Sequence, residues 1–330
     1  MRTLYVSQPG CYVGVSGEML VVKQGKTVFG EVQLPLVEMV LIFGKSQVST
    51  QAIRACLRQD IPIAYLSRMG YCYGRTLPIE RGYRHLSRYQ QQLTPVDKLI
   101  VARRLVEVKL RNSRVILQRQ YRRQKSDEIG FAIQNMEYFI EKATKADNLD
   151  RLMGYEGAGA REYFAAFSHC LSRREFVFEG RSRRPPGNPV NAMLSFGYQV
   201  LWNHLLTLIE LQGLDPYSAC LHQGNERHAA LASDLIEEFR APIVDSLVMY
   251  LVNKSMVDID QDFVYHDGGC FLNDTGRRKY LTAFVQRMEE ELVNDNGDKQ
   301  PKWDLLNQQV KEFKQFVYAP SRVYQPYQIR

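Results

Sequence analysis

The chain has 330 residues, 45% of them hydrophobic, with 43 Lys or Arg against 36 Asp or Glu, a net charge of +7 and a pI near 9.0. That length allows two domains with a sizeable core, and the basic bias suggests an acidic partner. No run of 18 apolar residues occurs, which excludes a membrane-spanning helix, and the opening ten residues lack the apolar core of a signal peptide. The cysteines (Cys11, Cys56, Cys72, Cys170, Cys220, Cys270) are scattered with no CxxC pair, which excludes an evident zinc site or disulfide framework. They read as buried thiols in a reducing cytosol, and a cytoplasmic location is expected.

Residues 1 to about 80 read as strands. Leu4–Val6, Tyr12–Val15, Met19–Val22, Thr27–Leu34 and Val37–Phe43 are short and rich in β-branched or aromatic residues, with Gly17, Gly25 and Gly44 at the turns. Ser49 reads as the cap of a helix over Thr50–Arg58, and strand resumes over Ile61–Leu66 and Tyr71–Leu77. This β-rich domain, 1–80, carries no recognisable chemistry. Its strand edges suit pairing with a second copy, so a homodimer is expected.

After a linker over 81–93 the hydrophobic period changes to 3.6, and residues 94–330 are expected to form an all-α domain. The fold class is thus α+β, a β-rich N-terminal domain before a larger helical one. Thr94-Pro95 opens a helix running to about Gln124. Between Lys98 and Lys125 there are ten Lys or Arg and one acid, Glu107, so this stretch holds +9 and the remainder of the chain −2. Arg104, Arg111 and Arg122 share one stripe, as a surface that tracks phosphates requires; the alternative is a solvated face paired with acids elsewhere.

A helix over Ser126–Ala146 follows, and Asp147-Asn148 caps another. That next helix carries Glu156, followed directly by Gly157, Ala158, Gly159 and Ala160. Four small residues leave a bare surface, suited to close helix packing or to approach by a ligand. Ser172–Pro189 breaks the pattern as a basic loop with Arg181, Arg183 and Arg184 before Pro185-Pro186-Gly187. Asn191–Leu211 resumes an apolar helix. The remaining elements are a hairpin over Phe263–Leu272, helices over Thr275–Leu292 and Trp303–Phe316 joined by a polar loop at Asn294–Lys299, and an extended tail from Tyr324.

Chemistry concentrates in Gly213–Asp245. His222 lies in a loop, and a helix with Leu231, Leu235 and Phe239 on one stripe carries Asp234 and Glu237 one turn apart, before Pro242 interrupts it. Adjacent carboxylates repel unless a cation sits between them, and carboxylates with one imidazole make a ligand set for Mg²⁺ or Mn²⁺. Spacing alone favours a solvated acidic face, and does not choose Glu237 over Glu238.

Four blocks in order carry a resemblance: MGYEGAGAREYF around Glu156, FEGRSRRPPGNPVNAMLSFGY over Phe178–Tyr198, GLDPYSACLH ending at His222, and LASDLIEEFRAPIVD containing Glu237. The sequence resembles the CRISPR-associated spacer-acquisition integrases, the Cas-one family, over its whole length. Ala219 and Cys220 stand where that family usually has glycine and an aromatic, and Ser233 replaces an apolar residue. The resemblance implies that Glu156, His222 and Glu237 are catalytic and bind Mg²⁺ or Mn²⁺, with Asp234 as a secondary metal-binding acid. It further implies a DNA integrase that works with a Cas-two family protein and joins the 3′-hydroxyl of a short DNA fragment to a phosphodiester at a CRISPR repeat. Arg104, Arg111, Arg122, Arg181, Arg183, Arg184 and Asn191 are the expected DNA-binding residues. A metal-dependent endonuclease acting on branched DNA and a non-catalytic DNA-binding scaffold are the other readings.

Overall fold

Alternation of inward and outward residues makes the first 80 residues two small sheets. The computed structural model describes residues 3–68, 70–79, 86–222, 228–293 and 299–329. Strands β2 (Tyr12–Ser16), β3 (Met19–Gln24) and β4 (Thr27–Gln33) form an antiparallel meander in the order β4-β3-β2, with the short β6 (Gln47–Val48) parallel to β2. Strands β1 (Thr3–Val6), β5 (Met39–Phe43) and β7 (Ile63–Leu66) are parallel, and β8 (Cys72–Thr76) closes that sheet antiparallel to β7. Helix α1 (Thr50–Arg58) starts where expected, with the Ser49 hydroxyl accepting from Ala52 N.

β5, Met-Val-Leu-Ile-Phe, is buried on both faces, the pattern of a strand covered on two sides. Val40 and Ile42 point into a small core with Val13, Leu20 and Cys56, whereas Met39, Leu41 and Phe43 join the main helical core. The Tyr5 hydroxyl hydrogen-bonds His204 Nε2 at 2.7 Å and Arg75 pairs with Glu210 at 2.7 Å, tying β1 and β8 to the central helix. The β-rich region is therefore one wall of a shared core.

The expected linker 81–93 needs correction. Residues 81–85 lie outside the described residues, but Leu86–Gln91 is a helix, α2, whose buried Gln90 donates to the carbonyls of Asp215 and Ser218 and accepts from Asp215 N. Helix α3 (Pro95–Arg123) begins with a reciprocal cap between Thr94 and Asp97; α4 (Asp127–Thr144) and α5 (Leu149–Phe167) start on the side-chain caps Ser126 and Asn148. These three pack together, and Gly159 of α5 meets Leu110 of α3 so closely that an added Cβ would sit 2.6 Å from Leu110 Cδ2. Helix α6 (Pro189–Leu211), capped by Asn188, is buried almost all round and forms the axis of the helical part.

α7 (Ala230–Leu235), α8 (Ser246–Asn253) and the short α9 (Ile259–Asp262) follow. The expected hairpin is β9 (Phe263–His266) and β10 (Gly269–Leu272), turning on Asp267 and Gly268, both with positive φ. A second small hairpin qualifies the all-α expectation. Helix α10 (Asp274–Glu289) stops before Leu292, and Glu291–Val293 (β11) pairs with Lys299–Pro301 (β12) ahead of α11 (Lys302–Tyr318). Residues 294–298 of the expected polar loop lie outside the described residues. Among the described residues no helix is long and apolar enough to cross a membrane.

Candidate active site

Lys109 of α3, Glu156 of α5, His222 in the loop after α6 and Glu237 just after α7 converge at one place. The expected long carboxylate helix is interrupted. α7 ends at Leu235, residues 236–239 form a tight turn, and Arg240–Asp245 is a π-helical turn that leads into α8. Pro242 has no N–H to give an α-helical ladder, and the wider turn accommodates it. Within this bend Asp234, Glu237 and Glu238 are 0%, 2% and 0% exposed, so a solvated acidic face is overturned.

The three acids point to three different partners. Asp234 Oδ2 accepts from Cys220 N at 2.6 Å and Leu221 N at 2.9 Å, while Oδ1 accepts from His222 N at 2.9 Å and hydrogen-bonds His222 Nδ1 at 2.8 Å. Both oxygens are thus engaged by the loop, and Asp234 holds the histidine in place. Glu238 Oε1 accepts from the Tyr324 hydroxyl at 2.6 Å and Oε2 from Tyr327 N. Burial pushes Glu238 up to about 8 against the pull of those two donors.

Glu237 faces the charges. Its Oε2 lies 2.7 Å from Lys109 Nζ; its Oε1 lies 3.3 Å from Arg240 NH1 and 3.9 Å from His222 Nε2. Burial alone would raise its pKa, but Arg240, Lys109 and His222 outweigh that and hold it below the usual carboxylate range. Lys109 also pairs with Glu156 Oε1, so one ammonium sits between the two glutamates. A buried carboxylate beside a half-buried one demands a cation between them, and here the protein supplies it.

Among the described residues no three His, Cys, Asp or Glu side chains already stand as a metal cluster. The donor chemistry nonetheless suits a divalent cation. Asp234 engages His222 Nδ1, which leaves Nε2 turned toward Glu237 and free to donate its lone pair. Glu237 is held ionised, and Lys109 marks where positive charge is required. Burial pulls the His222 pKa down, but the Asp234 hydrogen bond and the charges of Glu237 and Asp234 outweigh this and the opposing Lys109, leaving it raised.

The expected DNA-binding residues divide. Arg183 and Arg184 are exposed in the loop before α6, and Arg122 is exposed near the end of α3. Arg104 and Arg111 both pair with Glu107, at 3.7 and 2.9 Å. Lys109 follows Arg104 by five residues, about 140° round the helix, so that stripe and the site occupy different faces. Asn191 is corrected: it is fully buried, its Oδ1 accepts from Arg181 NH1 at 2.7 Å and Ser182 N at 3.1 Å, and its Nδ2 donates to Gly180 O at 2.8 Å. It shapes the basic loop from within. Arg181 turns inward too, bonding Ser195 Oγ at 3.0 Å and covering one side of the Tyr198 ring at 5.3 Å; Arg240 lies 4.8 Å from that ring's centroid.

Sequence reasoning missed Lys109 and Arg240. Lys109 was one of ten basic residues between Lys98 and Lys125, and only the fold distinguishes it. The Ser233 substitution also has a use: its hydroxyl links Trp202 Nε1 at 3.2 Å and His228 Nε2 at 2.9 Å.

The family model described as CRISPR associated protein Cas1 matches residues 4–286. The chain is 35% identical over 303 residues to a "CRISPR-associated exonuclease Cas4/endonuclease Cas1 fusion" from Geobacter sulfurreducens, covering 88% of the chain but 54% of that relative, so the chain spans about half its length. It is 31% identical over 328 residues to a "CRISPR-associated endonuclease Cas1 1" from Thermus thermophilus, covering 98% of each. Among solved structures, a CAS1 protein from Thermotoga maritima superposes with a TM-score of 0.81 at 24% identity over the whole of both chains. A casposase bound to integration product superposes at 0.82 with 24% identity, over 98% of this chain and 91% of that one. A mixed fold, with strand-rich N-terminal and helical C-terminal regions, is what these structures share with it. The chain belongs to the CRISPR-associated Cas1 family.

Proposed function

We propose that this protein is a divalent-metal-dependent DNA integrase of CRISPR adaptation, with Glu156, His222 and Glu237 as the ligands of Mg²⁺ or Mn²⁺. The observation that carries the reading is the pairing of an oriented imidazole with a buried ionised carboxylate. His222 is locked to Asp234 through Nδ1 at 2.8 Å while Nε2 faces Glu237 at 3.9 Å. In transesterification the 3′-hydroxyl oxygen of a DNA fragment forms a new bond to phosphorus. The target strand's P–O3′ bond breaks, and its oxygen leaves with a proton as a new 3′-hydroxyl. A bound divalent cation supplies charge neutralisation at the phosphoryl oxygens and lowers the pKa of the attacking hydroxyl.

The chain's own residues do the rest. Asp234 fixes the histidine tautomer. Arg240 holds Glu237 ionised. Lys109 neutralises Glu156 and Glu237, and would be free to meet a phosphate if a divalent cation took over that role. The exposed Arg183 and Arg184 hold the DNA backbone. The printed names of relatives and neighbours support this: endonucleases, a casposase bound to integration product, and a Cas6-RT-Cas1–Cas2 complex. We accordingly assign DNA and a Cas2 protein as partners, and a homodimer joined through the N-terminal strands, where Val28 and Phe29 of the edge strand β4 are about half exposed. The endonuclease names favour a second activity at the same residues, with water in place of the 3′-hydroxyl.

A fragment-joining assay on a supercoiled repeat-containing plasmid tests this. Joined product is expected with Mn²⁺ or Mg²⁺ and a Cas2 protein, and none with chelator or with Glu156→Ala, His222→Ala or Glu237→Ala. Joining that persists in chelator overturns the metal reading; cut strands without joined ones select the endonuclease.

A further inference from the structure

The segment after α11 returns to the candidate site. Residues 319–329 form no regular element, yet Tyr324 and Ile329 are 2% and 7% exposed. The expectation of an extended tail described its backbone and missed its burial. The Tyr324 hydroxyl and the Tyr327 N–H donate to the two carboxyl oxygens of Glu238, and the Tyr327 ring stacks on Phe239 with centroids 5.7 Å apart. Asn112 of α3, fully buried, completes the arrangement. Its Nδ2 donates to Glu238 O at 2.8 Å and Tyr327 O at 2.9 Å, and its Oδ1 accepts from Ile329 N at 3.0 Å.

These contacts bear on Glu237 through the backbone. Glu237 and Glu238 are consecutive residues in the turn between α7 and the π-helical turn, so the bearing of one backbone unit sets that of the next. Lys109 and Asn112 are three apart on α3, on neighbouring turns of one face. Lys109 takes the Glu237 side chain and Asn112 takes the Glu238 carbonyl, so α3 grips two successive residues at once. The segment then clasps Glu238 from the other side. The matched family model ends at residue 286, well before this segment.

We infer that residues 324–329, with Asn112 and Glu238, form a clamp that positions Glu237 for metal binding. This rests on the metal-site reading above. The clamp residues are positioning residues: they set the bearing of the Glu237 carboxylate, which would be the ligand. A divalent cation tolerates little error in ligand placement, and partners outside the ligand shell commonly change metal affinity by about 10–100-fold. Tyr324 is buried, Tyr327 is half-buried against Phe239, and both polar side-chain atoms of Asn112 are used in joining the segment to the Glu238 backbone.

The test uses the full chain with Tyr324→Phe, which removes one donor and keeps the ring, and Glu238→Gln, which keeps the shape. Leu20→Ala, in the small N-terminal core, serves as a destabilised comparator remote from the site. Mn²⁺ binding is followed by the electron paramagnetic resonance signal of free Mn²⁺, alongside the thermal midpoint and the Mn²⁺ dependence of strand joining. The expected result is about 10-fold or greater weakening of Mn²⁺ binding in both clamp variants, with joining restored at high Mn²⁺, and unchanged Mn²⁺ affinity in Leu20→Ala. Clamp variants that bind Mn²⁺ as the unaltered chain does, with only a lowered thermal midpoint, overturn the clamp and leave the metal site standing. Absence of Mn²⁺ binding by the unaltered chain overturns both.

Discussion

Lys109 Nζ lies 2.7 Å from Glu237 Oε2, a pair 11% and 2% exposed, and the same ammonium reaches Glu156. Breaking a buried pair leaves uncompensated charge, typically at a cost of about 3–5 kcal/mol. Arg240 remains beside Glu237, so Lys109→Met is expected near the lower end, about 3 kcal/mol in chelator, with Mn²⁺ recovering most of it. Urea unfolding with and without Mn²⁺ checks this; an equal loss in both conditions would show that the ammonium and the metal do not share a place.

Asp234 is expected to matter nearly as much as the ligands themselves. Asn in its place puts an amide donor against at least one of the N–H groups of Cys220, Leu221 and His222. Asp234→Asn should lower Mn²⁺ affinity and strand joining by about 10–100-fold. Equal activity with a lowered thermal midpoint would make Asp234 a loop support alone.

The pH dependence follows from His222. Its folded pKa is raised above the usual ~6.5 because Asp234 and Glu237 outweigh burial and Lys109. Stability from the protonated imidazole is therefore fully present below about pH 6.5 and is lost as pH rises through the raised folded value. Acid favours the metal-free arrangement, and metal requires the neutral ring. At limiting Mn²⁺, joining should fall as pH drops, with a midpoint above about 6.5 that moves lower as Mn²⁺ is increased. A midpoint indifferent to Mn²⁺ would mean that proton and metal do not compete at His222.

DNA affinity should fall steeply with salt, about a thousandfold or more from 50 to 200 mM if six or more phosphates are held. Arg183→Ala with Arg184→Ala should flatten the slope by about two units, one per lost contact. Asn191→Ala should instead lower the thermal midpoint, since it supports the loop from inside. An unchanged slope in the double arginine variant would place the phosphates elsewhere.

Light scattering should give about twice the 38.2 kDa chain mass, and Val28→Asp with Phe29→Asp should return the monomer. A monomer for the unaltered chain across micromolar concentrations would remove the edge-strand interface.

The sequence by itself determined the local elements. Ser49, Thr94, Ser126 and Asn148 each cap the helix that follows, and alternation placed most of the strands, because both signals act within a few residues. Motif blocks pointed to Glu156, His222 and Glu237 while helical spacing could not separate Glu237 from Glu238. Only the tertiary structure decided what each acid does. Asp234, Glu237 and Glu238 share one short bend, but their partners come from the 220–222 loop, from α3 and from the 324–327 segment. Asn112 and Tyr327 meet although 215 residues separate them. A charge on a helix wheel looks the same whether it faces water or a buried carboxylate, so Lys109 could not be told from its nine basic neighbours until packing had brought α3, α5 and the bend together.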